Sequence, residues 1–207
     1  MATRLEVFAD IACPFTHIGL KKVVSELDHL NDAVEVIVRS WPLEWVNGAP
    51  LEAEAVKMKI TALHDQLGTN DFNGFRGDTW PTTTIPALNL EAAGFGIDAS
   101  TGLGVSLALR DALFEEGRDV SDLAVLTSIA DQFGLDPPRA EAGACVRADY
   151  EDGQRRGVRG SPDFWVGDEE FFCPALTLGH NNGGLTAKFD TKGFRRFMER
   201  LRASSTD

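Results

Sequence analysis

Hydrophobic positions follow two different periods along the chain. Leu5-Glu6-Val7-Phe8-Ala9 is a short apolar run closed by Asp10, the pattern of a mostly buried strand. Beyond it, Val23, Leu27 and Leu30 recur at i, i+4 and i+7, which predicts a helix from Pro14 to about Leu30. Pro14 suits the first position of that helix, where a missing N–H leaves no bond unmade. Val34-Glu35-Val36-Ile37-Val38 is β-branched and predicts a second strand. The opening therefore reads β-α-β, with Cys13 where the first strand hands over to its helix.

From about Pro50 to Gly153 only helical periods occur. Helices are expected over Leu51 to Gly68, over Ser100 to Glu116, from a Ser121 cap to Gly134, and from about Pro138 to Gln154. Phe72 to Pro86 reads as a Gly, Pro and Thr-rich loop carrying Phe72, Phe75 and Trp80. Strand patterns return after Gly157: Asp163 to Val166, a Gly167-Asp168 turn, then Glu170 to Phe172. Asp190 is placed to cap a last helix whose Phe194, Phe197, Met198 and Leu201 share one face. A frayed end is expected from Ala203 onward. Removing the central block leaves β-α-β followed by β-β-α, the thioredoxin arrangement. The expected fold is α/β, a thioredoxin-like domain from residues 1–48 and 155–207 with a helical insertion over 49–154.

Charge and cysteine usage narrow the function. Lys plus Arg is 20 against 32 Asp plus Glu, a formal charge of −12 over 207 residues. Nucleic acid and anionic lipid are poor partners for such a surface. Three cysteines are too few for a disulfide framework, and an odd count leaves one thiol unpaired within the chain, so a reducing, cytoplasmic setting is expected. The N-terminal apolar run is too short and interrupted for a signal peptide, and no stretch approaches the roughly 20 apolar residues of a membrane helix.

Cys13-Pro14-Phe15-Thr16 is the leading candidate for chemistry. A free Cys is often just a small buried hydrophobe. At a helix N-terminus, however, it faces unpaired backbone N–H groups and the positive end of the helix dipole, and both favour the nucleophilic thiolate. Ser161-Pro162 stands ahead of the third strand, where a proline is tolerated and its bond can be cis; a plain turn is the other reading. Phe75, Trp80 and Pro81 either wall an apolar cleft over Cys13 or only pin the insertion to the core. Phe15 and Trp165 are expected beside that cleft, which would favour an aromatic substrate. Cys173 near the end of the fourth strand is read either as a buried core thiol or as a partner of Cys13, and Cys145 as packing. One residue on from Thr16, His17 turns roughly 100° away around the helix, and an exposed or capping role is expected. His29 and His64 have no identifiable partner, and His180 leads into an Asn181-to-Gly184 turn. The four histidines lack metal-ligand spacing, so no metal is expected.

The segments Glu6 to Gly19, Ala112 to Asp122 and Gly157 to Phe164 together resemble the DsbA-like thioredoxin family, in particular its FrnE-like branch, over about residues 4 to 175. The resemblance implies Cys13 as the reactive thiol and Pro162 as a cis-proline that, with Ser161, holds an extended thiol partner. Disulfide-handling members carry Cys-x-x-Cys, and here Thr16 stands in place of the second Cys. A lone thiol cannot close a disulfide within the motif. Thr16 is expected instead to donate a hydrogen bond to the Cys13 sulfur. The departure moves the chain toward kappa-class glutathione transferases and 2-hydroxychromene-2-carboxylate isomerases, which look similar in layout and use glutathione.

Three functions stay in view. The first is a thiol-dependent oxidoreductase with a monothiol site, working with a low-molecular-weight thiol of the glutathione or mycothiol type on small-molecule or protein thiols. The second is a thiol-dependent transferase or isomerase. The third is a redox-inactive thioredoxin-like binding module. A homodimer is compatible with the resemblance.

Overall fold

The computed structural model describes residues 3–30, 34–181 and 184–204. The expected β-α-β opening forms as β1 (Thr3–Ala9), α1 (Pro14–Leu30) and β2 (Val34–Ser40). A helical block follows: α2 (Leu43–Asn47), α3 (Ala53–Leu67), α4 (Ile85–Ile97), α5 (Ala99–Phe114), α6 (Leu123–Gln132) and α7 (Ala144–Arg156). The chain then makes β3 (Asp163–Val166), β4 (Glu169–Phe172), β5 (Leu176–Asn181), β6 (Gly184–Phe189) and α8 (Thr191–Ala203). No helix among the described residues is long and apolar enough to cross a membrane.

The main sheet runs β2-β1-β3-β4. β1 and β2 are parallel with Val7 opposite Val38, whereas β3 runs antiparallel to β1 with Phe164 opposite Val7. Strand alternation divides the packing between the two faces. Leu5, Val7, Phe164 and Val166 join the large core, where Phe164 meets Phe197 of α8 at 5.5 Å between ring centroids. Phe8 and Trp165 point the other way, into a smaller cluster with Trp41 and Val158. Gly153 of α7 lies so close there that a Cβ would sit 2.5 Å from the Trp41 ring. Trp165 thus packs in this second cluster, not beside Phe15 as expected.

Other differences have local causes. α4 has no helical stripe because it is apolar nearly all round, with Ile85, Ala87, Leu88 and Leu90 all buried, so no separate helix was expected there, and the loop expected to reach Pro86 ends at Thr84. α6 is capped by Asp122, whose side chain accepts from the Ala124 N–H, while Ser121 bonds Asp119 instead. α7 begins only at Ala144, after Gly143, and leaves Cys145 exposed rather than packed. The β5–β6 hairpin was not expected beyond its turn, of which residues 182–183 lie outside the described residues. It forms a separate two-stranded sheet against α3, where Gln66 Nε2 donates to Leu185 O at 2.9 Å and Gln66 Oε1 accepts from Ala187 N at 2.7 Å. Asp190 caps α8 by accepting from the Gly193 N–H, and α8 stays helical to Ala203, while residues 205–207 lie outside the described residues.

Candidate active site

β1 ends at Ala9, and the turn Asp10 to Cys13 delivers the Cys13 thiol to the N-terminus of α1. The shape of that turn is set by Asp10. Its carboxylate accepts from Ala12 N at 2.8 Å, from Leu43 N at 2.6 Å and from Thr84 Oγ1 at 3.1 Å. One buried side chain therefore ties the cysteine turn to α2 and to the start of α4. Burial pushes Asp10 up to about 6, against the pull of the Ala12 and Leu43 N–H groups. From the other side, Arg110 donates to Asp10 O at 3.4 Å.

The Ser161–Pro162 peptide bond is cis and faces this turn. Cys13 Sγ donates to Ser161 O at 3.0 Å. The Ser161 hydroxyl accepts from Asp10 N at 3.0 Å and lies 2.9 Å from Thr16 Oγ1. Thr16 is fully buried and bonds Ser161, not the Cys13 sulfur as expected; the side chain facing it across the cleft is the better-placed partner. Pro14 is the first residue of α1, and Phe15 is half-buried with Lys59 Nζ 6.0 Å from its ring. Trp80 donates to Leu51 O at 2.7 Å and meets the Phe75 and Phe114 rings at a tilt, with centroids 5.5 and 6.0 Å away. It thereby pins the insertion, and it also lines a narrow cleft with Asp10, Ala12, Leu43, Leu51 and Thr84.

Cys173 is buried against the same segment, its N–H donating to Pro162 O at 3.2 Å. Burial, joined by the charge of Cys13, pushes its thiol up to about 12. Cys13, Cys145 and Cys173 are all free thiols.

His17 is buried, neither exposed nor capping. It turns away from Cys13, and what it meets is Glu115, at 2.6 Å from Nε2, beneath the rings of Phe72 and Phe114. Burial holds His17 below the usual histidine value, against the Glu115 hydrogen bond. A neutral ring facing a carboxylate keeps its proton on Nε2, which leaves Nδ1 as an acceptor with no partner among the described residues. His17, Asp111 and Glu115 offer donor atoms within 4.8 Å of one another, yet the Lys21 ammonium already sits 3.6 Å from Glu115 and 3.9 Å from Asp111. His64 also has a partner, the Asp71 carbonyl at 2.5 Å. The side chains of His29 and His180 lie outside the described residues.

Around this buried thiol at a helix N-terminus, facing the carbonyl before a cis-proline, the sequence profile of the DSBA-like thioredoxin domain family matches residues 4–179. The chain belongs to that family. No curated protein matches the sequence. Among solved structures, 2-hydroxychromene-2-carboxylate isomerase is similar at 12% identity and TM-score 0.60, over 97% of this chain and 94% of that one. A candidate protein disulfide isomerase from Nitrosomonas europaea is similar at 16% identity and TM-score 0.64, over 99% of each chain. The cytosolic disulfide reductase DsbM from Pseudomonas aeruginosa, solved with glutathione, is similar at 17% identity and TM-score 0.57, over 97% of this chain and 96% of that one. At these identities the likeness is one of fold: the DsbA-like thioredoxin fold with its helical insertion.

Two buried carboxyls, Asp10 at the cysteine turn and Asp163 next to the cis-proline, escaped the sequence reading. Asp10 was seen only as the end of a strand, although its place just before the Cys turn was a usable signal. Asp163 opens an apolar strand, and a charged residue there was the visible anomaly.

Proposed function

We propose that the protein is a thiol-dependent oxidoreductase with Cys13 as nucleophile and a low-molecular-weight thiol of the glutathione or mycothiol type as co-substrate. The observation that carries this reading is the 3.0 Å contact of Cys13 Sγ with Ser161 O, beside the cis Ser161–Pro162 bond. In the first step the Cys13 thiolate attacks one sulfur of a disulfide, a new S–S bond forms on Cys13, and the other sulfur leaves as a thiolate. The first-turn N–H groups of α1 stabilise the attacking charge. Ser161 and Pro162 hold the extended partner, with Phe15, Phe75 and Trp80 as apolar walls that suit an aromatic or otherwise apolar substrate. A second thiolate then attacks the Cys13 adduct and frees the enzyme. The glutathione bound to the DsbM structure supports a small-thiol partner of this kind. The odd cysteine count supports a cytoplasmic setting.

A second reading, a thiol-dependent isomerase or transferase, draws on Thr16 standing where a second Cys would be and bonding Ser161. There the small thiol would be bound and activated without being exchanged. Mass spectrometry after mixing reduced protein with glutathione disulfide separates the two. A covalent glutathione adduct on Cys13, absent in a folded Cys13→Ala variant that has lost turnover, is the expected result. Full thiol-exchange activity in Cys13→Ala would overturn the assignment.

A further inference from the structure

Two thiols and one carboxylate converge on a single short segment. Cys13 Sγ donates to the Ser161 carbonyl, and the Cys173 N–H donates to the Pro162 carbonyl, so successive carbonyls of the cis unit each hold one cysteine. Asp163 follows directly and is fully buried. Its Oδ2 accepts from Arg159 N at 3.0 Å, while its Oδ1 has no hydrogen-bond donor among the described residues. Across the β3–β4 pairing, Asp163 stands opposite Phe172, the residue before Cys173. Cys173 itself has φ +45°, a left-handed conformation uncommon outside glycine. The bonds of its N–H to Pro162 and of its carbonyl to Leu176 N hold it there.

The three groups also share charge. Burial, then the charges of Cys13 and Asp163, push the Cys173 thiol up, so it keeps its proton until a base removes it. Burial and the neighbouring Glu170 carboxylate push Asp163 up to about 7, against the Arg159 N–H and guanidinium. Glu170 is held in turn by Arg159. A carboxyl titrating near neutrality, with one oxygen lacking a donor, is suited to accept a proton.

We propose that Cys173 is the resolving thiol of Cys13 and that Asp163 accepts its proton, closing an internal Cys13–Cys173 disulfide across the cis-proline segment. The proposal rests on the reading of Cys13 as nucleophile. It starts from Cys13 loaded as a mixed disulfide with a small thiol. The Cys173 proton passes to Asp163, the Cys173 sulfur attacks the Cys13 sulfur, and the Cys13–Cys173 bond forms. The bond from Cys13 to the small thiol breaks, and that sulfur leaves with the electron pair and is protonated from solvent. The pair of cysteines is oxidised by two electrons, and the small-molecule disulfide that loaded Cys13 is reduced to two thiols. The order is built in. A free Cys13 thiolate opposes ionisation of Cys173, whereas a loaded Cys13 carries no charge. Resolution therefore becomes easier only after loading.

The test mixes reduced, full-length protein with glutathione disulfide, quenches with acid at intervals, and follows intact mass and disulfide-mapped peptides. The expected course is a glutathione adduct on Cys13 that converts into a species lacking two hydrogens, with Cys13 joined to Cys173. Cys173→Ser should stop at the adduct. Asp163→Asn removes a buried charge facing Glu170 and keeps an acceptor for Arg159 N, so it is expected to fold. It should leave loading unchanged, slow the conversion by roughly 100-fold, and flatten its rise through neutral pH. The other groups facing Asp163 are Glu170, Arg159 and the two thiols, whose own ionisation also raises the rate, so the comparison with Asp163→Asn carries the pH test. A wild-type adduct that never converts would overturn the internal bridge while leaving Cys13 as nucleophile. Conversion at the wild-type rate in Asp163→Asn would overturn the role of the carboxylate. No adduct on Cys13 at all would overturn the underlying reading, and the bridge with it.

Discussion

Arg110 of α5 and Glu91 of α4 form an ion pair in which each side chain is only 1% exposed. Arg110 Nη1 donates to Glu91 Oε1 at 2.7 Å, to Ser106 O at 2.9 Å and to Ser106 Oγ at 2.6 Å. Nη2 reaches Asp10 O at a long 3.4 Å, and Arg110 Nε and Glu91 Oε2 have no partner among the described residues. The pair is therefore only partly satisfied, and its Coulomb attraction must offset a desolvation cost of several kcal/mol per ion. Removing one partner strands the other charge in the core. Arg110→Met is expected to lower stability by about 3–5 kcal/mol, a large part of the roughly 5–15 kcal/mol that holds a typical domain folded. Replacing both ends, as Arg110→Met with Glu91→Leu, removes attraction and desolvation together. That variant should fall within about 1 kcal/mol of the wild type, because apolar replacement of a whole buried pair is often neutral or stabilising. Urea unfolding at neutral pH, followed by far-ultraviolet circular dichroism in all four members of the cycle, gives the coupling energy. Additive losses, with the double variant as unstable as the sum of the singles, would refute the reasoning: the pair would then owe its place to packing alone.

Two further perturbations probe other parts of the frame. Asp163 is pushed up to about 7 by burial, so the folded chain keeps that proton over a pH range where the unfolded chain has lost it. Its ionisation therefore reduces stability as pH rises from about 4 to about 7. Asp163→Asn should be more stable than the wild type above neutrality, and the gap should shrink toward pH ~4; paired urea titrations across that range check this, and a gap constant with pH would count against it. Gly74→Ala places a Cβ 2.2 Å from the Glu115 carbonyl atoms, where backbone cannot yield. A loss of about 3 kcal/mol is expected, read as a lower thermal midpoint by calorimetry, and an unchanged midpoint would show that the loop shifts freely.

Much of the sheet was legible because its residues are locally consistent. Val34 to Val38 is β-branched, Asp163 to Val166 is a short apolar run, and the spacing of Phe194, Phe197, Met198 and Leu201 admits only a helix with one buried face. Cys13 was legible for the same reason, since the strand before it and Pro14 after it give its position. What stayed hidden depends on residues distant in the chain. The partner of His17 is 98 residues away, and Thr16 meets Ser161 across 145. No local period carries such contacts. α4 was lost for the opposite reason, being buried on nearly every side and so lacking any stripe. β5 and β6 contain Gly179, Thr177 and Thr186 among few large apolar residues, and their pairing becomes favourable only once α3 lies beneath them.

Gln66 has one more effect. A two-stranded sheet leaves its outer strand with bare N–H and C=O groups, an invitation for another chain to add itself. The Gln66 amide is chemically a peptide group on a side chain. By donating to Leu185 O and accepting from Ala187 N, it fills the bonding positions that one residue of an intruding strand would take. A single glutamine thus acts as a surrogate neighbour strand. Its loss would uncover an adhesive margin on the molecule, and the first sign would be self-association on concentration rather than unfolding.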